Sequence, residues 1–337
     1  MTIKVAVIGC GYWGPNLIRN FNQIDLTNLY YVCDLDEKKV EPIKKTYPYV
    51  KTTTDFKEIL NDQNVDAIAI ATPVATHYTI AKEALLHNKH VLIEKPMTVS
   101  VKEAEDLIAV AKKKKKVLMV DHTFEYENAI NKMKEIIKSD ELGDIYYIRA
   151  DWLNLGLLQP DVDVIWDLVT HIASIINYVI NMKVVSLSAK AGAYIRKNIP
   201  EVAHMNIKYE KNVNAYITVS WLEPRKTRSI TIVGSKKMLL YDLINEEEKI
   251  KIFDKGVDLK TTNIDDVRQI RIDYRYGNIY SPNVINVEPL NNMCSHFADC
   301  IINKKKPRSD GFSGLNVVKI LESAEESLRN NGKEILL

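Results

Sequence analysis

The sequence predicts an α/β domain on a doubly wound parallel sheet, followed by an α+β domain whose sheet is mainly antiparallel. Three observations predict it. The first third of the chain alternates short apolar runs with helical stretches, the rhythm of βαβ units. Lys4–Ile8 runs straight into Gly9-Cys10-Gly11-Tyr12-Trp13-Gly14, a dinucleotide fingerprint in its strand-to-helix setting. After about Asp121 the rhythm gives way to successive strand signals with one helix among them, the pattern of an antiparallel sheet covered on one face.

Taken in order, strand Lys4–Ile8 leads to a helix over about Pro15–Asn22. Pro15 suits the first turn, where its missing N–H would have no partner anyway. Leu29–Cys33 reads as a strand, Glu37–Tyr47 as a helix and Ala67–Ile70 as a further strand, followed by Ala71-Thr72-Pro73 and a helix from near Thr76. Val91–Ile93 is a buried strand ending in Glu94-Lys95-Pro96. Ser100-Val101-Lys102-Glu103 opens the next helix with a capping box, and Val117–Val120 is the last strand of the domain. A helix over Asn128–Ser139, stopped by Gly143, leads into strands at Ile145–Trp152, Val184–Ala193, Val202–Tyr209, Val213–Trp221, Ser229–Gly234 and Met238–Asp242. One helix, about Trp166–Val179, interrupts them, and two amphipathic helices, about Leu290–Asn303 and Leu315–Leu328, close the chain. We expect domains at 1–121, 122–289 and 290–337, the last returning to pack on the first.

Composition narrows the function. The 337 residues carry 46 Lys and Arg against 44 Asp and Glu, a balance that offers no broad field for nucleic acid or an anionic membrane. Lys112–Lys116 lies at a helix carboxyl end, where cations complement the macrodipole. Cys10, Cys33, Cys294 and Cys300 form no close pair of the zinc-site kind, and His296 with Cys300 makes only two ligands, so we expect no metal. The amino terminus lacks a basic segment followed by a long apolar run, and no stretch approaches the length of a membrane span. A cytoplasmic protein without membrane partners is expected.

The fingerprint assigns a cofactor. Gly9 permits the tight turn, Gly11 lets backbone approach a pyrophosphate, and Gly14 lets helix pack on strand. The amides of the following helix, with Tyr12 and Trp13, complete the phosphate cradle. Asp34 ends the second strand 34 − 14 = 20 residues past the last glycine, the spacing of a ribose-binding acid. It should repel a 2′-phosphate, so NAD is expected over NADP. Its other role would be a helix cap, which Asp36 could take instead.

Three further motifs stand behind the fingerprint: Thr72-Pro73-x-x-x-His77, Glu94-Lys95-Pro96 and Asp167-x-x-x-His171. With them the chain resembles, over nearly its whole length, the glucose–fructose oxidoreductase, inositol dehydrogenase and MocA (Gfo/Idh/MocA) family. The resemblance implies a Rossmann domain and a second domain with an open-faced sheet. It also implies oligomers, a homodimer or homotetramer, packed through that sheet. Lys95 matches the family's active-site lysine, and Asp167 and His171 match the acid–histidine pair of its inositol dehydrogenases. Thr72, Pro73, His77, Glu94 and Lys95 fall where the family meets its nicotinamide cofactor. The chemistry fits alcohol oxidation: His171 as the base for the hydroxyl proton, Lys95 beside the developing alkoxide, and Asp167 one helical turn before His171. Lys95 belongs to the first domain and the other two to the second, so the expected reaction site is the cleft between domains.

Departures from the family's pattern lie where substrate would sit. Asp163-Val164 replaces a common glycine pair, Ser174 stands where an acid often follows, and Glu125-Tyr126-Glu127-Asn128 replaces a common Arg-Tyr-Asn-Pro. Val219–Arg228, Val233–Met238 and Glu288-Pro289-Leu290 resemble members associated with surface-polysaccharide and nucleotide-sugar synthesis. That resemblance implies oxidation of a sugar nucleotide, plausibly at carbon 3 of a UDP-N-acetylhexosamine or its uronate. His122, Tyr126, Arg225, Arg228 and Arg275 are candidate substrate contacts, the arginines through phosphate recognition. A free polyol such as inositol is the alternative substrate, and a cofactor-sensing regulatory protein the alternative of another class.

Overall fold

A computed structural model describes residues 2–159, 162–261 and 270–337. The chain forms two units, Met1–Glu127 with Val287–Glu322 and Asn128–Asn286 with Ser323–Leu337.

In the first unit β1 (Ile3–Ile8), α1 (Gly14–Gln23), β2 (Thr27–Cys33), α2 (Glu37–Thr46), β3 (Lys51–Thr53), α3 (Phe56–Asn61), β4 (Ala67–Ile70), α4 (Val74–Leu86), β5 (His90–Ile93), α5 (Val101–Lys114) and β6 (Leu118–Val120) follow one another. The strands make one parallel sheet in the order β3-β2-β1-β4-β5-β6. The order reverses between β1 and β4, the switch point beside which such sheets bind ligands. β4 is buried throughout, as a strand covered on both faces must be. Ser100 caps α5 by accepting the Glu103 N–H at 3.3 Å, and Asp36 caps α2 by accepting the Lys38 N–H at 3.0 Å. The structure adds β3 and α3, where the sequence reading places nothing. β3 is a three-residue edge strand with no apolar run, so it leaves no hydrophobic period to read.

The second unit contains α6 (Asn128–Lys138), β7 (Ile145–Leu155), α7 (Thr170–Ile180), β8 (Val184–Gly192), β9 (Val202–Tyr209), β10 (Asn214–Ser220), β11 (Leu222–Gly234), β12 (Met238–Asp242), β13 (Ile250–Thr261) and β14 (Ile270–Tyr280). With β15 (Ile335–Leu336) they form a sheet ordered β14-β13-β12-β11-β7-β10-β9-β8-β15. Among the described residues of this sheet only β7 and β10 pair in parallel. One face is buried: Ile148, Trp152, Tyr209, Ala215 and Ile217 point inward, while Tyr147 and Tyr216 are exposed. α7 lies on the buried face, where Tyr209 Oη donates to Asn177 Oδ1 at 3.1 Å. β13 and β14 carry the sheet past Asp242, where the strands read from sequence end. Their charges, Lys255, Asp258 and Arg275 among them, obscure the alternation.

Two C-terminal helices follow, α8 (Pro289–Ile302) and α9 (Gly311–Arg329). α8 packs on α1 through Phe297 and Phe21, whose rings meet edge to face at 6.3 Å. Leu315 and Val318 of α9 join the core under β5 and β6. The division after Glu127, rather than Asp121, has a local cause. Tyr126 is held in the first unit by Ser309, its hydroxyl 3.0 Å from that side chain. Residues beyond Glu322 fall in the second unit, where β15 pairs with β8.

Candidate active site

The glycine loop is built as its sequence demands. Gly9 has φ +99°, and a Cβ there would meet the Ala71 carbonyl oxygen at 2.5 Å. A Cβ on Gly14 would meet the Gly9 carbonyl oxygen at 2.0 Å. Gly11 is different, since its Cβ would meet nothing within 4 Å. The loop therefore leaves open space at the glycine over which a pyrophosphate would lie. The first turn of α1 has no acidic residue and no side-chain cap, so its amides and dipole suit phosphate. Asp34 follows β2 and braces the loop: Oδ2 accepts the Cys10 N–H at 2.7 Å and Oδ1 the Asp36 N–H at 3.0 Å. Each carboxylate oxygen retains a second lone pair for a ribose hydroxyl. These residues fit a nicotinamide dinucleotide.

A second group lies at the carboxyl ends of β4, β5 and β6. His77 is 1% exposed. Its ring spans two loops, with Nε2 2.8 Å from the Thr72 carbonyl and Nδ1 2.9 Å from the Pro96 carbonyl. The structure gives it a positioning role, tying Thr72-Pro73 to Glu94-Lys95-Pro96. Glu94 accepts the Lys95 N–H at 3.0 Å. Burial first, and Asp121 second, push the Glu94 carboxyl well above the usual carboxylate range. Asp121 accepts the Trp13 indole N–H at 3.1 Å and also the Thr123 hydroxyl.

His122 is buried beside this group, and neither ring nitrogen has a hydrogen-bond partner among the described residues. Burial, and then the Lys95 charge, depress its pKa from 6.5 to about 3. Below pH 6.5 the unfolded chain binds a proton at His122 that the folded protein refuses. Its share of stability is complete above that pH and is lost at about 1.4 kcal/mol per pH unit as the pH falls towards the folded value. Relative to His122→Asn, the wild-type protein should lose about 2–3 kcal/mol between roughly pH 6.5 and 4.5 in urea unfolding. Parallel stability curves for the two proteins would show that the imidazole is not buried neutral.

In the second unit the catalytic candidates sit on an irregular helix start. Ile165–Val169 forms a π-turn that runs into α7, a feature frequent at functional sites. Asp163 caps it, its Oδ1 accepting the Ile165 and Trp166 N–H groups at 2.9 and 3.0 Å. The departure from a glycine pair thus has a structural use. Asp167 lies in the π-turn and accepts the Trp221 indole N–H at 3.3 Å. His171 follows in the first turn of α7, half-buried, and its carbonyl accepts the Ser174 hydroxyl at 2.9 Å. Arg228 feels the Asp167 charge, although burial dominates and pulls the guanidinium down to about 10.

Comparison with known proteins decides the family. Residues 3–122 match the model of an oxidoreductase family with an NAD-binding Rossmann fold, and residues 130–240 match the GFO/IDH/MocA C-terminal domain. The chain belongs to the Gfo/Idh/MocA oxidoreductases. It is 19% identical to the uncharacterized oxidoreductase YrbE of Bacillus subtilis, over 97% of this chain and 94% of that protein. It is 27% identical to scyllo-inositol 2-dehydrogenase (NADP(+)) IolW of the same organism, over 49% of this chain and 45% of that one. Among solved structures, UDP-N-acetylglucosamine 3-dehydrogenase GnnA from Acidithiobacillus ferrooxidans superposes with a TM-score of 0.81. That match has 21% identity and covers 98% of this chain and 99% of that one. This Gfo/Idh/MocA protein is therefore an oxidoreductase with an NAD(P)-binding Rossmann domain.

The remaining candidate residues are placed as follows. Tyr12 is 90% exposed on the glycine loop. Tyr126 is committed to the core, with the Arg308 guanidinium over its ring at 4.7 Å. Arg225 is exposed where β11 breaks register with β7. Arg275, a candidate phosphate contact, is already paired. Its fork is occupied by Asp254 at 3.0 Å, by Asp258 at 2.8 Å and by the Lys236 carbonyl. Sequence reasoning missed Asp121. The signal was available once the strand order was known, because Val120 pairs with Ile93 and so sets Asp121 beside Glu94. Among the described residues no cluster of three His, Cys, Asp or Glu side chains could hold a metal, and no helix is long and apolar enough to cross a membrane.

Proposed function

We propose that this protein is an NAD-dependent dehydrogenase or ketoreductase acting on a secondary hydroxyl of a nucleotide sugar, with Lys95, Asp167 and His171 as its catalytic residues. A bound nicotinamide supplies the hydride acceptor. His171 takes the hydroxyl proton, Asp167 orients the imidazole or a neighbouring hydroxyl, and Lys95 stabilises the negative oxygen that develops. The observation that carries this reading is the state of the groups around Lys95. Burial raises the Glu94 carboxyl well above its ordinary range and keeps His122 uncharged, which weakens competing charge beside the lysine.

Asp34 favours NAD, because a 2′-phosphate would meet its carboxylate. Lys39 stands 4.0 Å away but is half-exposed, and a surface pair of that kind contributes little. The nucleotide-sugar substrate is supported by the sequence resemblance and by the fold shared with GnnA. The similarity to IolW favours a second reading, a free polyol substrate. We take the exposed sheet face carrying Tyr147 and Tyr216 as the surface for assembling identical chains in a cytoplasmic enzyme.

Nicotinamide absorbance with UDP-N-acetylhexosamines, their uronates and inositols tests the substrate, and paired dissociation constants for NAD and NADP test the cofactor. Turnover of a UDP-sugar and tighter NAD binding are expected. Turnover of inositols alone would replace the first substrate reading by the second, and tighter NADP binding would remove the role given to Asp34.

A further inference from the structure

The polar groups around Asp167 do not balance within the second unit. Arg228, on β11, pairs in register with Trp152 of β7, and its guanidinium lies 5.0 Å from the centre of that indole. Nη2 donates to Asn154 Oδ1 at 2.9 Å, but Nη1 is buried and has no hydrogen-bond partner. Asp167 is the anion that Arg228 feels, and that carboxylate also accepts the Trp221 indole N–H.

Trp221 links to a second arginine. Arg196 lies 5.4 Å from the centre of the Trp221 ring. Its Nη1 donates to the Gln159 carbonyl, and its Nη2 is buried without a partner. Its ion-pair partner Glu201 is fully buried and already accepts the N–H groups of Tyr194, Arg196 and Ile195 at 2.7, 3.0 and 3.3 Å. The Arg196 Nε contact to Glu201 is long at 3.5 Å.

Two guanidinium groups thus each hold a buried donor unused, one near Asp167 and one beside the indole that bonds it. A buried charged donor without a partner is costly. A planar guanidinium is matched by the paired oxygens of a carboxylate or phosphate.

We propose that Arg228, assisted by Arg196, anchors an anionic group of the substrate beside Asp167 and His171. That group is either a carboxylate on the sugar ring or the diphosphate that joins the sugar to its nucleoside. The inference rests on reading Asp167 and His171 as the groups that face the reacting hydroxyl. It makes Arg228 a residue that selects charged over neutral sugars.

The test is calorimetric binding to the NAD-loaded protein, with UDP-N-acetylglucosamine, D-glucuronate and neutral N-acetylglucosamine as probes. At least one anionic probe should bind tenfold or more tightly than the neutral sugar, and the one that does names the source of the charge. Arg228→Met should weaken that probe at least tenfold, with KM rising more than kcat falls, and Arg228→Lys should recover part of the loss. Melting midpoints and NAD affinity establish that each variant is folded; Arg228→Gln replaces Arg228→Met if the latter is not. Equal binding of charged and neutral sugars by the wild-type protein would overturn the inference. So would unchanged affinity in folded Arg228→Met or Arg228→Gln. Arg228-dependent binding of glucuronate without turnover of any UDP-sugar would keep this inference and remove the nucleotide-sugar reading. Turnover of UDP-sugars with wild-type KM in Arg228→Met would do the reverse.

Discussion

Lys95→Ala should lower kcat/KM by about 10²–10³-fold, the loss expected when one preorganised donor to a developing oxyanion is removed. NAD affinity should change by no more than about threefold, because the phosphate and ribose contacts lie on the glycine loop and Asp34. The size of the effect follows from the surroundings of the lysine. Glu94, adjacent in sequence, would neutralise the ammonium if ionised, but burial and Asp121 push its carboxyl well above the usual range and oppose that. His122 is kept uncharged by burial. Glu94→Gln should accordingly change kcat/KM far less than Lys95→Ala does. Steady-state turnover by nicotinamide absorbance, with cofactor affinity by calorimetry, measures both. Full activity in Lys95→Ala would end the proposed mechanism, and a collapse of NAD binding would recast the lysine as a cofactor anchor.

His171→Asn should cut kcat by about 10²–10⁴-fold, the usual contribution of a positioned general base. The limb of the pH–rate profile that reports the base should vanish with it. Asp167→Asn should cost less while preserving that limb, since the carboxylate orients rather than receives the proton. It accepts the Trp221 indole N–H, and an amide oxygen can accept the same bond. Combining Lys95→Ala with His171→Asn should cost much less than the product of the single losses, because groups that serve one transition state act as a unit. Multiplicative losses would mean that the two residues serve separate steps. A pH profile unchanged in His171→Asn would move the base elsewhere.

Legibility differed between parts of the chain. The parallel sheet, β3 apart, was readable because its strands are short apolar runs closed by turn signals, and Gly9 and Gly14 have distinct steric duties that the structure displays. Caps were readable for the same local reason, as Ser100 and Asp36 show. β3 and the ribbon of β13 and β14 were not, since a short edge strand and a charged hairpin carry little hydrophobic period. The π-turn at Ile165–Val169 also escaped, because a one-residue change of helical pitch leaves the apolar pattern almost intact.

By itself the sequence determined the fold class and the family, carried by local spacing and short motifs, and it nominated Lys95, Asp167 and His171 through the family resemblance. Tertiary structure alone decided the electrostatic condition of those groups. It set Asp121 beside Glu94 through strand register, turned His77 into a strut between two loops, occupied the fork of Arg275, and left buried donors unused on Arg196 and Arg228. The reason is physical: charge state and hydrogen-bond supply depend on burial and on neighbours distant in sequence, whereas turns, caps and strands depend on the residues next in line.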